Sequence, residues 1–229
     1  MRKINIKKIL MSFAGLVLGL ALATNVFATS SVTGHRIVID AGHGGADSGS
    51  TECSGYPEKQ ATLDVANKLK AILEANGAAA YLTRTDDSTL SNEDRYTFAN
   101  STDGEVLISV HLNGSTNHDA NGTLGLYGKR NKDKAFAEAM HSRLAGELNV
   151  PDLGVTNFAS GVLLKSVMPA TIQETVFISN TNECTKLTDG TGARQQEIAQ
   201  SLFNGLADWF SLPPDTGHGN GNNPPGRPW

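Results

Sequence analysis

The sequence predicts an α/β fold: one domain built as an α/β/α sandwich around a mixed, largely parallel sheet. Two observations carry that reading. From Arg36 to about Phe210, short β-branched runs alternate with longer stretches whose apolar residues recur at helical spacing. The 229 residues, 39% hydrophobic and 18% charged, suffice for one domain with a core of its own. Two cysteines are too few for a scaffold built on disulfides, so the core must come from apolar burial.

The elements follow in order. Ile37-Val38-Ile39 is a strand running into Asp40-Ala41-Gly42. Glu58 to Asn76 has Val65, Leu69, Ile72 and Leu73 at helical spacing, with Pro57 suited to its start and Gly77 to its stop. Ala79 to Thr83 reads as a strand, and Ser91 as the cap of a short helix through Asn100. Val106 to Val110 is the strongest strand signal and leads directly into His111. A polar loop, Asn113 to Asn121, precedes a strand at Thr123 to Tyr127. Phe136, Met140, Leu144 and Leu148 repeat every four residues and mark a second long helix. Val162-Leu163-Leu164 and Thr171 to Val176 read as the last strands, and Ile198, Leu202, Leu206 and Phe210 line a final helix.

The flanks differ from this body. Arg2, Lys3, Lys7 and Lys8 precede an apolar run, and Val26-Phe27-Ala28 offers small residues for cleavage, so residues 1–28 read as a signal peptide. The apolar run is shorter than the ~20 residues a membrane span needs, which argues against an uncleaved anchor. Residues 29–35 form a short linker, 36–212 the folded domain, and 213–229 a Gly/Asn/Pro tail too poor in apolar residues to fold. The leader carries four positive residues and no acids, so its removal takes the formal net charge from -4 to -8. A chain this acidic gives no electrostatic case for nucleic acid. It is expected outside the cytoplasm, free of the membrane after cleavage and monomeric. In that setting Cys53 and Cys184 either form a bridge or remain two thiols; spacing does not decide.

Four residues carry the chemistry. His43 stands among glycines at the C-terminal end of a strand, where open α/β sheets place their ligands. The loop lacks the Gly-Lys-Ser/Thr of a phosphate cradle, and an ordinary turn is the plainer alternative. His111 ends a second strand, and parallel strands bring their C-terminal ends to one edge. Glu58 opens the helix after the His43 loop, either as a functional carboxylate or as a partner for the helix dipole. Glu174 interrupts an apolar strand, where a buried carboxylate is costly unless paired or bound to a cation. Two histidines and one carboxylate form a known catalytic zinc set, and a further free carboxylate can move the proton. Glu52 rivals Glu58 but lacks the helix start; Asn113 is a substrate contact, Asp40 or Ser109 an orienting group. Arg84 and Arg95 read as structural ion-pair partners, and His35, His118, His141 and His218 as bystanders, the middle two solvated.

Ile37 to Gly45, Glu58-Lys59, Ser109 to Asn113, Met168-Pro169-Ala170 to Glu174, and Phe177 to Asn180 together resemble the zinc-dependent N-acetylmuramoyl-L-alanine amidases of the Amidase_3 type. The likeness covers about Arg36 to Phe210. It implies that His43, Glu58 and His111 ligate one Zn2+ per chain and that Glu174 is the catalytic base and acid. It also implies a twisted mixed sheet of about six strands. The implied substrate is peptidoglycan, cut between the muramic lactyl group and L-alanine. Ala41 stands where the family usually has proline, and Gln173-Glu174-Thr175-Val176 departs from its usual apolar and glycine neighbours. The span from Leu112 to Lys134 is too short for the inhibitory helix some members carry, which implies an enzyme that needs no activator. A zinc peptidase or deacetylase acting on wall material, and a wall-binding module without turnover, are the alternatives. Product identity separates the first two, and restoration of activity by zinc the last.

Overall fold

The structure is a computed structural model that describes residues 30–212. The expected leader, 1–28, and tail, 213–229, lie outside the described residues. Twelve elements run in the order β1 (Arg36–Ala41), α1 (Glu58–Ala75), β2 (Ala79–Leu82), α2 (Asn92–Ser101), β3 (Val106–Asn113), β4 (Thr123–Tyr127), α3 (Arg130–Glu147), β5 (Asp152–Asn157), α4 (Gly161–Lys165), β6 (Ala170–Phe177), α5 (Thr181–Leu187) and α6 (Ala193–Ser211). The six strands form one sheet in the order β2-β1-β3-β6-β4-β5. All pairs are parallel except β4 with β6, so the sheet is mixed and largely parallel, as expected.

The central strands are buried on both faces, which is why they read as near-continuous apolar runs. Their period of two assigns each residue to a face. Ile37, Ile39 and Ala41 of β1 and Ile108, Val110 and Leu112 of β3 pack with Leu69 of α1, Phe136 of α3 and Leu202 of α6. Val38, Leu107 and Ile172 face the other way, toward Ala99 of α2 and Val162 and Leu163 of α4. Burying each of the larger of these side chains contributes about 1.5–3 kcal/mol. The same alternation puts His111, two residues beyond Ser109, and Glu174, two beyond Ile172, on the α2/α4 face. That face is where the site lies.

Several expectations need correction. Val162-Leu163-Leu164 belongs to helix α4, not a strand. An apolar run of three is too short for periodicity to separate the two states. β5 and α5 were not anticipated: β5 is an exposed edge strand without apolar alternation, and α5 has only seven residues. Residues 31–35 pack onto the domain rather than linking to it. Val32 is buried, Ser31 Oγ donates to the Ala207 carbonyl, and His35 stacks on Phe210 and bonds Glu105. His35 is therefore a packed residue rather than a flank bystander.

Cys53 and Cys184 are joined as a disulfide with Cα atoms 5.5 Å apart, and Cys184 lies on α5. The bridge ties the loop preceding α1 to a helix 131 residues later in sequence. Replacing both cysteines by alanine is expected to cost about 2–5 kcal/mol, measured by urea denaturation. A change under about 0.5 kcal/mol would show that the bridge constrains nothing the fold does not already fix.

Candidate metal centre

β1 and β3 pair in parallel with Asp40 opposite Ser109 and Ala41 opposite Val110, so the chain leaving β1 passes directly beside His111. Gly42 makes that approach possible. A Cβ there would stand 2.4 Å from both Cε1 and Nε2 of the His111 ring. The backbone then turns through His43, which adopts φ +58°, a left-handed conformation costly for a residue with a side chain. From there the His43 ring meets the first turn of α1. Gly49 (φ +61°) lets the return of this loop close over Glu58, whose Oε2 would lie 2.5 Å from a Cβ at that position.

Three side chains from three elements converge here. Nε2 of His43 lies 3.0 Å and Nδ1 of His111 3.1 Å from the same oxygen, Oε1 of Glu58. The Glu58 carboxylate also accepts from the Ser50 and Leu112 backbone N–H groups, at 2.9 and 3.1 Å. It is buried, so its presence in the first helical turn is not simply a match to the helix dipole. The donor atoms lie within 4.8 Å of one another, and this is a group able to hold a metal ion. Two nitrogens and a carboxylate oxygen match a catalytic zinc set, which leaves a further position free.

The electrostatics fit a cation at this point. Burial disfavours the His43 imidazolium, yet the contact with Glu58, and then with Asp47, outweighs burial and raises its pKa to about 9. His111 is likewise raised: burial opposes, while Glu58 and the charge of Glu174 prevail. Burial would raise Glu58, but the two imidazoles hold it well below the usual carboxylate range. Two rings crowded on one carboxylate oxygen demand positive charge between them. Protons supply it, and so does a divalent cation.

Glu174 stands opposite His111 in the β3–β6 register. Burial raises its pKa, reinforced by Glu58 and opposed by the two histidines. Its carboxylate accepts no hydrogen bond from the described residues, leaving both oxygens for a ligand. It lines a cavity of about 530 Å3 with His43 and His111, walled by Leu124, Phe158, Val162 and Ile172. All four residues singled out in the sequence thus come together at the C-terminal edge of the sheet.

The secondary candidates fall elsewhere. Glu52 stands 3.6 Å from His118 and outside the donor group, while His118 bonds the Ser179 carbonyl. Asp40 is fully buried and engages Ser109, Thr83 and Arg95, so it anchors the loop base instead of touching a ligand histidine. Arg95 is the expected ion-pair partner; Arg84 is not, because it donates to the Ala41, Gly42, Lys59 and Asp86 carbonyls. His141 is buried against Asp152 rather than solvated. Asn113 lines the cavity. The residue missed was Asp47, whose Oδ2 lies 2.8 Å from Nδ1 of His43. Its only signal was an acid four positions after a histidine in a glycine-rich loop.

Gly42→Ala is expected to keep the fold, since φ there is not positive, and to lower the affinity of the donor group for a divalent metal about 10–100-fold by displacing His111. Competition with a chromophoric chelator measures this. Unchanged affinity would mean that the ring is not confined by the β1 exit.

A family model described as N-acetylmuramoyl-L-alanine amidase, Amidase_3, matches residues 37–208. The N-acetylmuramoyl-L-alanine amidase LytC of Bacillus subtilis (strain 168) is 32% identical over 182 residues, 78% of this chain. The match spans only 36% of LytC, about a third of its length. Among solved structures, the catalytic domain of CwlV, an N-acetylmuramoyl-L-alanine amidase from Bacillus (Paenibacillus) polymyxa var. colistinus, is 33% identical with TM-score 0.71, covering 76% of this chain and 97% of that one. The N-acetylmuramoyl-L-alanine amidase of Clostridium difficile 630 is 30% identical with TM-score 0.72, over 80% and 98%.

Proposed function

Because the chain belongs to the N-acetylmuramoyl-L-alanine amidase family, we propose that it hydrolyses the amide between the muramic lactyl group and L-alanine of peptidoglycan. In this reading His43, Glu58 and His111 hold one zinc ion, and Glu174 moves the proton. The observation that carries it is the convergence of three donor atoms within 4.8 Å, beside a free carboxylate in a cavity. When bound, zinc supplies a Lewis acid that polarises the scissile carbonyl and acidifies water.

The protein residues then divide the work. Glu58 neutralises part of the ion's charge, and its own position is fixed by the Ser50 and Leu112 amides. Glu174 takes a proton from the attacking water as the carbon–oxygen bond forms. It returns that proton to the alanine nitrogen as the carbon–nitrogen bond breaks. A carboxyl raised by burial suits both halves, holding a proton long enough to deliver it. Leu124, Phe158, Val162 and Ile172 give the cavity an apolar wall beside the reacting amide.

Among the described residues no helix is long and apolar enough to cross a membrane. Residues 1–28 would direct export to the cell wall or periplasm, where the enzyme works as a monomer. Digestion of intact sacculi followed by mass spectrometry tests the activity. Glycans whose muramic acids bear a free lactyl carboxylate and peptides with a free L-alanine amino group are expected, abolished by chelation and restored by zinc. Release of acetate or of amino acids alone would instead identify a deacetylase or a peptidase.

A further inference from the structure

We propose that Asp47 is the positioning residue of this metal centre, holding His43 in the tautomer that leaves Nε2 unprotonated for zinc; the inference rests on the zinc reading above. A histidine that binds a metal through one nitrogen carries its proton on the other, and an acceptor there fixes both tautomer and ring plane. Oδ2 of Asp47 lies 2.8 Å from Nδ1 of His43, while Nε2 of the same ring faces Glu58. One imidazole therefore sits between an outer carboxylate and the inner donor set.

The loop is built to deliver that carboxylate. Gly44 and Asp47 exchange backbone hydrogen bonds of 2.8 and 3.1 Å, closing a tight turn that returns Asp47 over His43. Oδ1 of Asp47 accepts the Gly49 amide at 3.1 Å, which sets the angle of the carboxylate. From the other side, Arg95, anchored on Asp40, donates to the His43 carbonyl at 2.8 Å. His43 is thus gripped at its backbone and at its outer nitrogen. His111 has no counterpart: Nε2 lies against Gly42, and among the described residues no side chain hydrogen-bonds it. Packing orients the second ligand, whereas a carboxylate orients the first.

The Asp47 side chain is 63% exposed, so its contact with His43 adds little to stability and can be removed without unfolding the protein. Zinc affinity by chelator competition and Tm are compared for wild type, Asp47→Ala, Asp47→Asn and Asp47→Glu. Alanine is expected to weaken binding 10–100-fold with little change in Tm. Asparagine is expected to weaken it too, because its NH2 replaces one of the two oxygens that now accept separately from the Gly49 amide and the His43 ring. Glutamate, which keeps a carboxylate acceptor, recovers part of the loss. Wild-type affinity in the alanine and asparagine variants would overturn the proposal, as would a loss matched by a large fall in Tm. If the wild type itself binds no zinc, the zinc reading fails and not this assignment alone.

Discussion

Glu174→Gln is expected to keep the proposed zinc and lose catalysis. The amide has the shape of the carboxylate, so the cavity and the neighbouring His111 need not move. What disappears is a group able to accept a proton from water and return it to the departing nitrogen. General base and acid steps contribute about 10²–10⁴-fold, and kcat is expected to fall by that much. Metal content by mass spectrometry and turnover of a purified muropeptide measure the two halves of the claim. Full activity at unchanged zinc content would remove Glu174 from the proton path. Loss of both together would make it a ligand instead.

His111→Ala acts on the other half of the site. It deletes one of three donor atoms and leaves Glu58 with His43 and the Ser50 and Leu112 amides as partners. The fold should persist, because the ring lines the cavity and is not part of either apolar cluster. Zinc affinity is expected to fall more than about 100-fold, beyond the range seen for outer partners of metal ligands. Activity then vanishes at ordinary zinc concentrations and returns only in part at high ones. Retention of wild-type affinity would mean that the ion sits elsewhere.

Much of this site was legible because the strands that build it carry strong signals. β1 and β3 are continuous apolar runs, so their C-terminal ends, and with them His43 and His111, could be placed at one sheet edge before any coordinates. Glu174 stood out as a charge within a strand. From its residue context alone Glu58 was visible only as a helix start, which favoured it over Glu52, and the resemblance supplied its role as a ligand. The rest depended on distances that spacing does not encode. Asp47 reaches His43 through a local turn closed by backbone bonds with Gly44, which no periodicity reports. His141 looked solvated from its helix position, yet α3 turns that face toward β5, where Asp152 meets it. β5 itself pairs through backbone at the sheet edge and leaves no apolar pattern. The helix at Gly161–Lys165 was misread because three apolar residues serve either state.

The direct test is the zinc anomalous signal from crystals of the metal-loaded domain. One peak is expected at the C-terminal edge of the sheet, with a ring nitrogen of His43, a ring nitrogen of His111 and a Glu58 oxygen each at about 2.0–2.2 Å, and Glu174 nearby but unbound. A peak at any other place, or one that lacks either imidazole, would contradict the account.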